Sequence, residues 1–132
     1  MKVGFTCSSF DLLHAGHILM LKEAKENCDY LVVGLQTDPT IDRKEKNKPI
    51  MSLSERFIIL SGVKYIDEII PYETEEELEE LLLAINPDIR FIGEDWKDKQ
   101  ITGEFLKIPI YWIKRKHHYS STKLRERLNR TT

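Results

Sequence analysis

Apolar residues along this chain come in short β-branched or aromatic runs that alternate with longer stretches of helical spacing. Residues 2–6 read as a first buried strand, and from Leu19 to Ala24 the apolar positions recur at helical intervals. Residues 30–35 form a second β-rich run, followed by a charged loop over 38–49. Ser52-Leu53-Ser54-Glu55 has the form of a capping box, in which Ser and Glu side chains satisfy free backbone N–H groups, and it opens a helix to about Gly62. Residues 67–71 read as a third strand stopped by Pro71. The acidic run from Glu73 to Glu80 puts negative charge in the first turn of another helix, where the macrodipole favours it, and reads as a solvated face. Pro87 ends that helix; residues 89–92 and 108–113 are a fourth and a fifth strand, and Ser120-Ser121-Thr122 caps a last, basic helix.

Strands alternating with helices predict an α/β fold, a doubly wound parallel five-stranded sheet in a single domain over residues 1–132. In such sheets ligands sit beyond the carboxyl ends of the strands, near a switch in strand order. The loops after the first, second, fourth and fifth strands are therefore expected to meet.

Composition narrows the function classes. With 41% hydrophobic and 32% charged residues the chain has the balance of a globular protein. A net charge of −2 argues against nucleic acid as a partner, so any basic function is local. No leader pattern and no apolar run near ~20 residues is present, which predicts a cytoplasmic protein with no membrane partner. Cys7 and Cys28 have no metal-type spacing and are expected as free thiols, Cys7 as a small packing residue.

The chemistry concentrates at Ser9-Phe10-Asp11-Leu12-Leu13-His14-Ala15-Gly16-His17, between the first strand and the first helix. A helix start offers unpaired N–H groups and positive dipole, and residues three apart share a face, so His14 and His17 can address one anion. Gly16 leaves room for close approach to the backbone. There is no P-loop, no G-x-G-x-x-G fingerprint and no nucleophile elbow. Cations for phosphates come from Lys44 and Lys46 in the second loop and Arg115 in the fifth; Asp95 and Trp96 lie in the fourth. A zinc site built from His14, His17, His117 and His118 is disfavoured, since four imidazoles without Cys or carboxylate are unusual, and no metal ligands are assigned.

The chain resembles the small cytidylyltransferases of the H-x-G-H nucleotidyltransferase superfamily, typified by those acting on glycerol 3-phosphate, over nearly its whole length. The resemblance rests on residues 10–17, on Asp29-Tyr30-Leu31-Val32-Val33, Thr37-Asp38, Arg56, Tyr65-x-Asp67-Glu68 and Gly93-Glu94-Asp95-Trp96, and on Arg115 with Ser120-Ser121-Thr122. Lys116-His117-His118 replaces the glycine-containing middle of the family's last motif, and Cys7-Ser8-Ser9 stands where Tyr-Gly-Thr is common. The resemblance implies a Rossmann-like sheet and transfer of CMP from CTP to the phosphate of a small phosphorylated acceptor, with Mg²⁺ on the triphosphate. It assigns catalysis to His14, His17, Lys44 and Arg115, and nucleotide binding to Ser9, Phe10, Gly16, Asp95, Ser120, Ser121 and Thr122. Acceptor binding falls to Asp11, Asp38, Lys46, Arg56, His117 and His118. The departures point to the capsule-phosphoramidate branch, whose acceptor is L-glutamine phosphate, ahead of glycerol 3-phosphate. An ATP-dependent adenylyltransferase of the same fold and a non-catalytic nucleotide-binding regulator are the alternatives. A homodimer is expected, with Phe57, Ile58 and Leu60 as candidate contacts.

Overall fold

A computed structural model of the chain describes residues 1–130. Five parallel strands, β1 (Val3–Ser8), β2 (Tyr30–Gln36), β3 (Glu68–Tyr72), β4 (Ile89–Gly93) and β5 (Ile110–Ile113), form one sheet in the order β3-β2-β1-β4-β5. Helices α1 (Ala15–Glu26), α2 (Leu53–Ser61), α3 (Glu75–Ile85) and α4 (Ser121–Asn129) lie between or after them. This is the doubly wound, Rossmann-like α/β fold that the alternation predicts. The chain leaves β1 towards β2 on one side and reaches β4 on the other, so the switch in strand order falls between β1 and β4.

Side chains alternate along each strand, and both faces are covered, which explains the continuous apolar runs. On one face Leu31, Val33, Leu35, Phe91 and Ile113 pack with Leu21 and Ala24 of α1 and Leu60 of α2. On the other, Phe5, Val32 and Tyr72 pack with Leu78 and Leu82 of α3. Register places Cys7, Gln36, Tyr72 and Arg90 on this second face, because Phe5 pairs with Arg90 and with Val32, and Gln36 with Tyr72. Gly34 lies among them. A Cβ there would meet Cys7 Cβ at 3.0 Å and Tyr72 Cε1 at 3.1 Å, so only glycine keeps these side chains close.

The capping box at Ser52 and Glu55 forms as expected. Asn86, in the left-handed conformation at φ 47°, closes α3 just before Pro87. Pro71 does not stop β3: it pairs with Leu35 inside the strand. Tyr72 accepts the Thr37 N–H through its carbonyl. The backbone nitrogen of Pro71, one residue back, therefore faces the open side of this edge strand, where no donor is needed. The fifth strand starts at Ile110, two residues later than expected, because Pro109 interrupts the run while its carbonyl still accepts from Arg90. Leu60, expected as a dimer contact, is 1% exposed and belongs to the core, whereas Ile58 is 69% exposed. Among the described residues no helix is long and apolar enough to cross a membrane.

Candidate active site

The loop from Ser9 to Leu13 is short, and it is held rigidly. Phe10 and Leu12 both adopt left-handed backbone, at φ 49° and 51°, although neither is glycine. Each such residue costs about 1–3 kcal/mol and persists only where its surroundings over-determine it. Here the Phe10 ring is fully buried, and the Asp11 carboxylate accepts the N–H groups of Ile50 and Met51 at 2.9 and 3.0 Å. Asp11 also pairs with Arg125 of α4 at 3.1 Å, and its carbonyl accepts the Ser121 hydroxyl at 3.3 Å. Phe10 and Asp11 thus anchor the loop through a buried ring and a paired carboxylate, which leaves the main chain at Ser9 and Phe10 as the part expected to meet a nucleotide.

Two histidines then cap α1. His14, at the N-cap, accepts the Gly16 N–H on Nδ1 at 3.0 Å, and His17 accepts the His14 N–H on its own Nδ1 at 3.1 Å. His117, in the loop after β5, accepts the Tyr119 N–H on Nδ1 at 3.1 Å. A neutral imidazole that accepts through Nδ1 must carry its proton on Nε2. All three rings are therefore set as Nε2–H donors. Burial holds the pKa of His17 down to about 4, with the charge of His14 adding to it. His14 is lowered too, by burial first and then by His117 and Arg115. Gly16 sits between the rings: a Cβ on it would come within 2.7 Å of His117 Cε1 and 2.8 Å of His14 Cε1.

These rings open onto a cleft of about 780 Å³ across the carboxyl ends of the strands. All four expected loops meet there. Ser9 comes from the first; Arg43 and Lys46 come from the second; Gly93, Glu94, Asp95 and Trp96 come from the fourth; Arg115, His117, Ser120 and Ser121 come from the fifth. Ser120 caps α4 by accepting the Lys123 N–H at 3.0 Å, so a second helix start faces the cleft. Arg115 donates to the Tyr119 carbonyl, which shapes that loop.

Several expected residues fall elsewhere. Lys44, Thr122 and His118 are exposed and outside the cleft wall. Asp38 makes a local turn with Thr40, accepting from its N–H at 2.9 Å and its hydroxyl at 2.6 Å. Arg56 is 2% exposed. Its guanidinium donates to the carbonyls of Met51, Ser9, Gln36 and Thr37 at 2.6–3.1 Å, tying the first and second loops together. Its N–H groups are turned to these carbonyls and away from the cleft wall. Burial pushes the Cys7 thiol up, consistent with a packing residue.

Sequence reasoning passed over Arg43, which pairs with Glu75 at 3.2 Å and lies 5.1 Å from the Trp96 ring centre, where Lys46 and Lys99 stand at 5.3 and 5.2 Å. It also passed over Gln36, Tyr72, Glu75 and Arg90 at the inner end of the cleft. The available signal was a polar or charged residue within or just after an otherwise apolar strand.

A family model described as cytidylyltransferase-like matches residues 5–127. The chain is 37% identical to glycerol-3-phosphate cytidylyltransferase of Bacillus subtilis over 97% of its length and 98% of that protein's. It is 34% identical to the bifunctional protein HldE of Helicobacter pylori over 98% of its own length but 28% of that protein's. Among solved structures it is similar to a lipopolysaccharide core biosynthesis protein from Thermoplasma volcanium, with a TM-score of 0.71, 28% identity, and coverage of 90% and 99%. A pantoate-beta-alanine ligase from Francisella tularensis shares the fold, with a TM-score of 0.64, 19% identity, and coverage of 94% and 65%.

Proposed function

The chain belongs to the cytidylyltransferase-like family of nucleotidyltransferases, and from that premise we propose that it transfers CMP from CTP to the phosphate of a small phosphorylated metabolite. A phosphate oxygen of the acceptor attacks the α-phosphorus in line, the bond to the β-phosphate oxygen breaks, and pyrophosphate leaves. The acceptor phosphate is already ionised, so no general base is required. Catalysis then consists of positioning and stabilising charge on the phosphate oxygens.

The observation that carries this reading is the set of Nε2–H imidazoles at His14, His17 and His117, each fixed by a main-chain donor on Nδ1. His14 and His17 donate to α-phosphate oxygens, where charge grows. Arg115, His117 and the α4 start at Ser120 and Ser121 hold the β- and γ-phosphates. Lys46 takes the bridging role between the acceptor phosphate and the α-phosphate, with Lys44 outside the cleft as a distant support and Arg43 beside it. Ser9 backbone meets the nucleotide, and Asp95 with Trp96 lies beside cytosine or ribose. Mg²⁺ fits as a passenger on the triphosphate. Among the described residues no group of three or more His, Cys, Asp or Glu is arranged to hold a metal, so the triphosphate would supply most of its ligands.

The test is pyrophosphate release with CTP, ATP, GTP and UTP, each with a panel of phosphorylated acceptors that includes glycerol 3-phosphate and L-glutamine phosphate. Turnover with CTP and one acceptor is expected. Preference for ATP would make the protein an adenylyltransferase, and nucleotide binding without turnover would make it a regulator. A homodimer through the exposed Phe57 and Ile58 face of α2 is part of the same proposal; sedimentation as a monomer at micromolar concentration removes it.

A further inference from the structure

Helix α4 brings Ser120 and Ser121 to the cleft, yet the hydrophobic core does not hold it there. None of its nine residues is buried, and among the described residues no α4 side chain joins the core on either face of the sheet. A helix this short is marginal in water without tertiary support. Polar contacts with the motif loop supply it. The Ser121 hydroxyl donates to the Asp11 carbonyl at 3.3 Å, and Arg125 donates from Nη2 to the Asp11 carboxylate at 3.1 Å. Four residues apart, the two side chains lie on one face of the helix. The Asp11 side chain is only 7% exposed, so its charge is poorly screened by water and a cation beside it counts for more than a surface pair. Its other bonds, from the N–H groups of Ile50 and Met51, reach the chain before α2. One carboxylate thus ties together the motif loop, that stretch and the last helix.

Resting on the nucleotidyl-transfer reading of the cleft, we propose that Arg125 is a positioning residue for the nucleotide: its pair with Asp11 latches α4 against the motif loop. Arg125 lies outside the cleft wall, so it acts through the helix and not by contact with substrate. A docked α4 presents the free N–H groups and positive dipole of its first turn to the triphosphate. Bound triphosphate in turn stabilises the docked helix, since coupling between two binding events is reciprocal. Where the binding-competent state is only partly populated, apparent affinity falls by that fraction. Undocking therefore weakens nucleotide binding. Saturating nucleotide restores the docked state and leaves the transfer step near its normal rate.

Arg125→Ala removes the latch and leaves Asp11 its two main-chain donors, so the motif loop keeps its anchor. The experiment measures CTP binding by calorimetry, steady-state kinetics, and hydrogen exchange of the α4 amides. In Arg125→Ala, Kd and KM for CTP should rise about 10-fold, while kcat at saturating CTP stays within about twofold of wild type. Without nucleotide its α4 amides should exchange faster than those of wild type, and CTP should slow exchange in both proteins. Arg125→Lys, which keeps the charge, should recover part of the affinity. Arg125→Met, which keeps the stem and loses the donors, gives the same reading if the alanine variant melts early. Unchanged CTP affinity in a folded Arg125→Ala protein, or α4 exchange indifferent to CTP, overturns the latch and leaves the cytidylyl reading intact. If ATP binds in place of CTP, the cytidylyl reading fails and the same comparison with ATP decides the latch. Wild-type protein that binds no nucleoside triphosphate overturns both.

Discussion

The main-chain N–H of His14 donates to Nδ1 of His17 at 3.1 Å, and the two imidazole centres stand 4.0 Å apart. The main chain of the first histidine thus fixes the ring of the second, as the Gly16 N–H fixes the ring of the first, and each bond turns the other ring nitrogen outward. Replacing His17 with Ala removes a donor and loosens His14 at once. Turnover should fall about 100- to 1,000-fold, the usual cost of one lost transition-state donor, while CTP affinity changes far less. The double variant with His14→Ala should lose less than the product of the single losses, because both act on one group. Steady-state kinetics with a melting curve for each variant checks this; a folded His17→Ala protein within about threefold of wild type would falsify the role.

The acid side of the stability curve follows from the same ring. Folding depresses the His17 pKa from 6.5 to about 4, so between these values the unfolded chain binds more protons than the folded one. Stability is at its full value above 6.5 and is lost as pH falls towards 4, by at most about 3 kcal/mol from this group. In His17→Asn, whose side-chain oxygen can still accept the His14 N–H, that dependence should flatten. Urea unfolding at several pH values between 4 and 7 measures it.

Gly16→Ala separates activity from stability. Alanine is the better helix former by about 1 kcal/mol, which works in favour of the variant. Its methyl group, however, falls 2.8 Å from His14 Cε1 and 2.7 Å from His117 Cε1. The His117 loop can yield, but His14 cannot move without losing its bond from Gly16 N. We expect turnover down at least ~10-fold, or about 1.4 kcal/mol, with a melting temperature close to wild type.

Arg56→Met should act on the fold. The change removes the cation that satisfies four carbonyls in a buried place, and the expected cost is about 3–5 kcal/mol, read by chemical denaturation. An acceptor-binding arginine would behave in the opposite way, raising KM for the acceptor at unchanged stability.

Lys46→Ala should reduce kcat/KM much more than Lys44→Ala, since Lys46 lines the cleft and Lys44 does not. Equal losses at the two positions would return the second-loop role to Lys44. As Lys46 stands 5.3 Å from the Trp96 ring, nucleotide binding should also change tryptophan fluorescence in wild type and less so in Lys46→Ala.

The fold was legible because parallel strands buried on both faces must be apolar throughout, and the helices between them carry ordinary caps. The histidine motif was legible because its residues are local in sequence and sit between a strand and a helix. The carbonyl contacts of Arg56 were not legible for a physical reason: a lone arginine on a helix carries no mark of whether its partners are phosphates or carbonyls. Lys44 and Lys46 differ by two positions in an irregular loop, where no periodicity says which one faces inward. The left-handed turns at Phe10 and Leu12 were invisible because neither is glycine; the clamp that pays for them, Asp11 on Ile50 and Met51, spans about forty residues. Gln36 and Arg90 were hidden inside apolar strands, and only the register of β1 with β2 and β4 shows that they share the α3 face of the sheet.

Pro71 has a consequence for how copies of this chain can meet. A bare sheet edge is a template on which another strand can zip, and the β3 edge is interrupted where a main-chain donor is missing. The opposite edge, β5, is only four residues long. Neither border suits extension of the sheet from one molecule into the next. The exposed Ile58 on α2 leaves a route for self-association that spares the hydrogen-bonded ladder, and it keeps strand-to-strand aggregation disfavoured while the cleft stays accessible.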